Sequence, residues 1–484
     1  MSMGRRKSER QEPMWIPAAS VSSPGHPFYV ALNKVLAAHG FDRHVEGLCE
    51  RFYARATGRP GTPPGVYFRL LLVGYFEGIG SERGIDWRCA DSLSLHEFLG
   101  VPLGTPTPDH STISRTRRLI DVETHQAVFA WVLKLLAEHD LVSGRTLGVD
   151  ATTLEANAAM RSIVRRDTGQ GYAEFLTEIA KASGIETPTR EDLARIDRNR
   201  KGKGSNGDWE HPHDPDARIT KMKDGRTHLA HKLEQAADME TGAIVSVTVQ
   251  PADEGDTSTL PKTVTEALEQ LSALKDDAKV GRHVEDSFGR EVVADKGYHS
   301  DAVLSDLAEA GIRSYVSAPR LAKGRRRRWK GKDRQRTVVL ANRRRVCGKR
   351  GRALMRRRGE LLERPFAHEL ETGGMRRTHV RGHPEVLKRM LGAAAGFNIG
   401  LLMRTLFGIG KPRVLQGATS RARKSMEEAL AAVLSLLATV LTLVTTMARR
   451  PRLPERSARS LVVSFSFARA RLGVQANRDF ATGC

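Results

Sequence analysis

The sequence predicts an α/β domain with a mixed, partly parallel sheet and flanking helices, preceded by an all-helical unit. From Arg145 onward, short apolar runs of strand length alternate with stretches patterned at helical spacing, the order expected of a sheet covered by helices. Before Arg145 the apolar residues recur only at helical spacing. The 484 residues exceed one ordinary core, and a hydrophobic content of 40% fits a soluble globular protein.

The helical unit is expected over residues 27–141, after a polar tail, 1–26. Tyr67 to Phe76 reads as a buried helix stopped by Gly78-Ile79-Gly80, and Ser81 is placed to N-cap the next helix, through Trp87 to Leu93. Thr105-Pro106-Thr107-Pro108 then breaks the chain. Asp109 can cap a helix carrying Ser111, Thr112, Ser114, Arg115, Arg117 and Arg118. That Arg- and Ser/Thr-rich face suits a helix-turn-helix-like contact with DNA; a solvated basic face is the competing account. Val122 to His139 closes the unit, with Val128, Trp131, Val132 and Leu135 at helical spacing.

The α/β domain is expected over 142–408. Thr146 to Asp150 is an apolar run that ends in an acid, the pattern of a buried strand with a carboxylate at its end. The polar stretch 161–224 reads as a helical insertion ending in a mobile basic linker, Arg198 to Gly207. Within it, His211 to Asp216 holds metal-ligand residue types, but two prolines and a polar setting favour a solvated loop. His228 and His231 could share a helix face, without the glutamate of a zinc protease motif. Ala243 to Val249 and Glu291 to Ala294 are strands flanking a helix from Thr263 to Leu274; a helix from Ser300 to Ala310 and a strand Ser314 to Val316 follow.

A basic tract at 323–358 contains Arg325, Arg326, Arg327, Arg328 and Trp329, an arrangement in which arginines hold phosphates while the indole stacks on a base. Gly359 to Leu370 and Val386 to Phe407 read as helices, and 409–484 as a C-terminal helical extension. In that extension Leu430 to Ala448 is uncharged and long enough to span a bilayer. Its five Ser and Thr residues favour a core or partner-facing helix, so a membrane partner is not expected and a role in assembly is.

Lys and Arg number 78 against 56 Asp and Glu, a net charge of +22, which favours a polyanionic partner. Cys49, Cys89, Cys347 and Cys484 are scattered, supporting neither a zinc ribbon nor a disulfide framework and fitting a reducing compartment. Met1 to Pro13 lacks the apolar core of a signal peptide, so the expected location is cytoplasmic. No phosphate-binding Gly-x-x-x-x-Gly-Lys-Ser/Thr run occurs, which removes ATP-driven chemistry from the reading.

Cutting a phosphodiester needs an activated oxygen nucleophile and relief of charge on the leaving oxygen, and a pair of divalent cations can supply both. Hard cations want several carboxylates on rigid elements. Asp150 and Asp295 each end an apolar, strand-like run, where a parallel sheet would set them side by side, and Gly297 would let the chain leave the second strand tightly. A helix bearing Glu363 could bring a third carboxylate over the sheet edge.

The chain resembles the DDE transposases of bacterial insertion sequences. The matching pieces are Thr107-Pro108-Asp109-His110-Ser111-Thr112-Ile113-Ser114, Leu147-Gly148-Val149-Asp150-Ala151-Thr152, Ala294-Asp295-Lys296-Gly297-Tyr298-His299-Ser300, Glu363-Arg364-Pro365-Phe366 and Gly374 to Gly382. The resemblance runs in order from about Pro64 to Arg404 and is most specific at Asp-Lys-Gly-Tyr. It implies an RNase H-like fold, a helical DNA-binding domain before it, and a catalytic and metal-binding triad on Asp150, Asp295 and Glu363. It further implies two Mg²⁺ ions, with Mn²⁺ able to substitute, and double-stranded DNA as partner, both as terminal inverted repeats and as target. Synapsis of two ends implies a homo-oligomer. Arg376, Arg377 and Arg381, in the Gly374 to Gly382 piece, join the expected DNA contacts.

The third acid departs from the family's pattern of Tyr-x-x-Arg-x-x-x-Glu followed by Lys seven residues on. Gly359 stands four before Glu363 and Leu370 seven after, while Pro365 predicts that Glu363 lies near a helix start. Glu360 and Glu369 are therefore rivals. A catalytically inactive DNA-binding relic or regulator of the same family is the alternative function.

Overall fold

The computed structural model describes residues 25–54, 61–102, 104–200, 204–222, 224–319 and 329–413. Arg325, Arg326, Arg327, Arg328 and the segment Leu430 to Ala448 lie outside them. The chain divides into two units, Met1–Ala418 and Thr419–Cys484, and everything described falls in the first.

Seven helices come first: α1 (Pro27–Ala38), α2 (Phe41–Cys49), α3 (Pro64–Glu77), α4 (Glu82–Ala90), α5 (Leu93–Leu99), α6 (His110–Leu119) and α7 (Val122–Ala137). Their ends are written in the sequence as expected. Gly78 closes α3 in the left-handed conformation, Ser81 caps α4, and Asp109 accepts from the Thr112 N–H to cap α6.

The strands are β1 (Thr146–Glu155), β2 (Val164–Arg165), β3 (Trp209–Glu210), β4 (Arg218–Lys221), β5 (Thr227–Asp238), β6 (Ile244–Pro251), β7 (Glu291–Ala294) and β8 (Arg313–Val316). The remaining helices are α8 (Tyr172–Ala182), α9 (Arg190–Asn199), α10 (Asp256–Asp276), α11 (Asp301–Glu309), α12 (Asp333–Cys347), α13 (Lys349–Arg358), α14 (Arg364–Ala367) and α15 (His383–Phe407). In the main sheet β5 lies antiparallel to β1, β4 and β6, while β1, β7 and β8 run parallel. An antiparallel turn-back followed by parallel crossovers, with helices packed on the sheet, is an RNase H-like arrangement.

One hydrophobic core joins the helical region to the sheet, running from Phe28 through Leu70 and Leu133 to Val149, Val247 and Met403. α15 is its axis. It packs on α3, α7 and β6, and Asn398 closes a two-way hydrogen bond with the Ile244 backbone (2.9 and 2.8 Å). Among the described residues it is also the one helix long and apolar enough to cross a membrane, but most of that apolar stretch is buried inside the protein.

Three expectations need correction. The linker expected over Arg198 to Gly207 is tied down at both described ends: a helix runs to Asn199, Asn206 brackets the Ile219 backbone, and beyond it β4 joins the sheet and Trp209 is buried in a small core with Ile163, Ala217 and Leu229. His211 to Asp216 is a turn with Pro212, His213 and Pro215 exposed as expected, but His211 and Asp214 are buried. Asp214 and His231 are buried together at 3.2 Å, and Asp214 and Asp216 accept from the backbone N–H groups of Gly382 and His383. His228 and His231 lie on β5, where an odd spacing puts them on opposite faces. Polar residues satisfied by tertiary partners had the composition of a loop.

Candidate active site

Parallel pairing sets the first two acids. β1 and β7 run in register from Thr146 opposite Glu291 to Val149 opposite Ala294, so Asp150 and Asp295 are the next residues on neighbouring strands. β7 stops there and β1 continues through Glu155 on its pairing with β5, so Asp150 does not end its strand, as the sequence suggested. The cleft opens where β7 leaves off.

Behind Asp295, the chain turns at once. Asp295 Oδ1 accepts from the Gly297 N–H (2.6 Å), and Tyr298, fully buried, donates its hydroxyl to Glu234 Oε1 (2.8 Å) on β5. Burial, reinforced by the Glu234 charge, drives the Tyr298 phenol far above its ordinary pKa, so it remains a donor. Gly297 is needed for space rather than for a special backbone angle: a Cβ there would run into Asp256 and Asp295.

The third acid arrives on a helix laid over β1. From Lys349 the chain is helical to Thr372, passing through π-helical turns at Gly359–Glu363 and His368–Thr372 around α14. Pro365 therefore does not mark a helix start. It has no N–H to give, and the widened turn before it accommodates that loss within a continuous helical run. Gly148, on the same face of β1 as Asp150, admits this helix closely: a Cβ would lie 2.5 Å from Met239 Sδ and 2.8 Å from Leu362 Cδ2. Leu362 is buried there, and Glu363 follows it into the cleft.

Asp150, Asp295 and Glu363 line one cleft of about 640 Å³, together with Glu155, Asp224, His228, Asp256, Arg358, Glu371 and Arg376. Arg358 sits between two of the acids, 3.2 Å from Asp150 Oδ2 and 3.7 Å from Glu363 Oε1. Asp150 is pushed up to about 6, chiefly by burial. Arg358 and the Ala151 N–H oppose the shift, and the nearby charges of Asp295 and Glu363 add to it. The rival glutamates are elsewhere: Glu360 is exposed outside the cleft lining, and Glu369 is fully buried beneath it, accepting from Gln235.

The expected DNA contacts divide. On α6, Ser111, Arg115 and Arg118 are exposed and Thr112 half-buried. The first three line a surface pocket with His110 and Ser114. Arg117 is turned inward, ion-paired to Glu82 (2.7 Å) and Glu385, and does not belong to that surface. Trp329 is half-buried against the main core rather than standing out as a stacking platform. Arg376, Arg377 and Arg381 are exposed along the segment leading to α15, with Arg376 on the cleft and Arg377 near Glu155 (3.7 Å).

Residues 18–119 match the transposase domain family DUF772, and residues 205–399 match the transposase DDE domain. The chain belongs to the DDE transposases of insertion sequences. No match is found among curated proteins. Asp295 and Glu363 of the transposase fall inside the DDE match, while Asp150 lies between the two matched segments, ahead of the structured insertion. The family acts on DNA, a polyanion, and the chain carries a net charge of +22. Sequence reasoning counted Arg358 in a run of arginines, next to the Gly359 that replaces the family's arginine, without placing it among the acids, and it passed over Asp256, which lies ahead of the helix start expected at Thr263.

Proposed function

We propose that this transposase binds the terminal inverted repeats of its element, cleaves the DNA at their ends and transfers those ends into target DNA. Asp150, Asp295 and Glu363 carry the chemistry. The supporting observation is the shared cleft: two acids stand next to each other just past the parallel pairing of β1 and β7, and a third comes from the helix over Gly148.

The donor set fits divalent cations of the Mg²⁺ type, since the oxygens are carboxylate, and a cation would offset both the burial that chiefly raises Asp150 and the smaller repulsion from Asp295 and Glu363. Among the described residues no three acid, His or Cys side chains are gathered closely enough to hold a metal ion as they stand. Arg358 occupies the space between Asp150 and Glu363, and Glu363, two-thirds exposed, is free to swing from it. Bound cations would supply an activated water or 3′-hydroxyl and neutralise the leaving oxygen. The protein's own part is to fix the acids on rigid strands, to keep the Asp295 turn pinned through Tyr298, and to guide DNA with the exposed arginines of α6 and Arg376 to Arg381.

Replacing Asp295 by Asn should abolish Mg²⁺- or Mn²⁺-dependent cleavage of DNA bearing the terminal repeats while leaving binding of that DNA largely intact. Undiminished cleavage by Asp295→Asn would refute the assignment. Specific binding by the native chain with no nicking under either metal would favour an inactive relative.

A further inference from the structure

Beyond the three acids, α10 carries a carboxylate to the same cleft. Asp256 is the first residue of that helix, and its two oxygens have different surroundings. Oδ1 is held at 2.7 Å by Lys232 Nζ, and Lys232 is itself buried and fixed by Thr259 Oγ1 (2.9 Å) and the Glu254 carbonyl (3.2 Å). Oδ2 lies close to Gly297, as Asp295 Oδ1 also does. A methyl on Gly297 would run into Asp256 Oδ2 and lie 2.9 Å from Asp295 Oδ1, so the two carboxylate oxygens lie close to one another beside this glycine. An acid in the first turn of a helix ordinarily needs no more than the helix dipole and solvent. Here a buried lysine on β5 spends its charge on holding the acid in one orientation, and the facing position has no side chain to separate it from Asp295.

We propose that Asp256 is a fourth carboxylate of the active site, positioned by Lys232, and that it contributes with Asp295 to binding a divalent cation. Lys232 and Glu234 project from the same face of β5, so one strand positions both walls of this half of the cleft: Asp256 through Lys232, and the Asp295 turn through Glu234 and Tyr298. The inference rests on the reading of the cleft as the metal site.

The test is Mn²⁺ binding to the full chain without DNA, followed by the electron paramagnetic resonance signal of free Mn²⁺. Asp295→Asn is the reference and should weaken binding at least tenfold. Asp256→Asn should also weaken it about tenfold. Because that change leaves a buried lysine unpaired and can cost stability, the double variant Lys232→Met/Asp256→Asn, which removes both charges, is measured beside it. Equal loss in the single and double variants supports a direct contribution of Asp256. Native affinity in the folded double variant, with affinity lost in Asp295→Asn, would reduce Asp256 to a structural ion pair and overturn the inference alone. Native affinity in Asp295→Asn would overturn the metal-site reading itself, and the inference with it.

Discussion

Glu369 offers a direct way to separate a structural carboxyl from a catalytic one, because it competes with Glu363 in the sequence and differs from it in surroundings. Its side chain is fully buried; Oε2 accepts from Gln235 Nε2 at 2.6 Å, and Oε1 has no partner. Burial pushes its pKa up to about 8 from an ordinary 4.5, with the Gln235 hydrogen bond opposing. The folded state therefore holds the proton that the unfolded chain releases, and stability falls as pH rises from about 4.5 to about 8. At pH 7.5 that gap of about three units corresponds to roughly 4 kcal/mol. Glu369→Gln removes the ionisable group and keeps the bond from Gln235. Its new amide takes the unpartnered position at a cost of about 1–2 kcal/mol, leaving a net gain of roughly 2–3 kcal/mol. Thermal unfolding of the metal-free protein at pH 4.5 and 7.5 should show the variant raised by several degrees at the higher pH and little changed or slightly lowered at the lower. Cleavage of terminal-repeat DNA should be unaffected. A folded Glu369→Gln variant that no longer cleaves would refute the placement of Glu363 as third acid; an unchanged pH profile of stability would refute the neutral buried carboxyl.

The same reasoning applies, with opposite consequences for activity, at Asp150. Its pKa of about 6 against 3.8 means that the ionised side chain destabilises the metal-free fold above pH 6, by about 3 kcal/mol. Asp150→Asn should then raise the unfolding midpoint at pH 7.5 in the presence of a chelator, converge with native protein near pH 4, and eliminate cleavage; a lowered midpoint at pH 7.5 would contradict the strained acid. Gly148→Val should cost roughly 1–3 kcal/mol by overpacking against Met239 and Leu362 and should depress cleavage by lifting Glu363 away from Asp150. Retained cleavage with native stability would show that the helix does not depend on that close approach.

Periodicity reported the elements that its physics governs. The strand Glu291 to Ala294, the helix expected over Tyr67 to Phe76 (found over Pro64–Glu77) and the helix from Val122 follow apolar spacing, because each buries the residues that the pattern marks. The twelve-residue β5 escaped the reading because its buried residues include His231, Lys232, Glu234, Gln235 and Asp238. Polar residues interrupt an apolar alternation, and their partners in α10, the insertion and the Glu363 helix are remote in sequence. The same cause hid Arg117, Asp214 and Asp256. A charge patterned for a surface and one paired in the interior look alike until the partner is known. The Asp150 and Asp295 pairing was legible because both ended apolar runs and parallel pairing followed from the strand–helix–strand order. The helix over Gly359 to Leu370 was legible too, but not that Glu363 lies inside a longer continuous run, since Pro365 reads as a first-turn residue and π-helical turns leave no simple spacing signal.

The helical region and the cleft form one mechanical body, and the glycines at their junction explain how. A Cβ on Gly78 would strike the Thr372 carbonyl, and one on Gly80 would strike that of Gly374, so the loop between α3 and α4 lies backbone against backbone on the end of the helical run that carries Glu363. Arg389, buried in α15, donates to the Gly80 carbonyl at 3.0 Å, and Arg117 of α6 joins Glu82 of α4 to Glu385 of α15. Such contacts have no soft side chain between them to absorb a displacement, and the buried ion pairs lose their partners if either side moves. An arginine on the exposed face of α6 is therefore held at a fixed distance from Asp150. Under the proposed function, in which α6 contacts the element end and the cleft cuts it, that rigidity would convert binding by the helices into placement of the scissile bond.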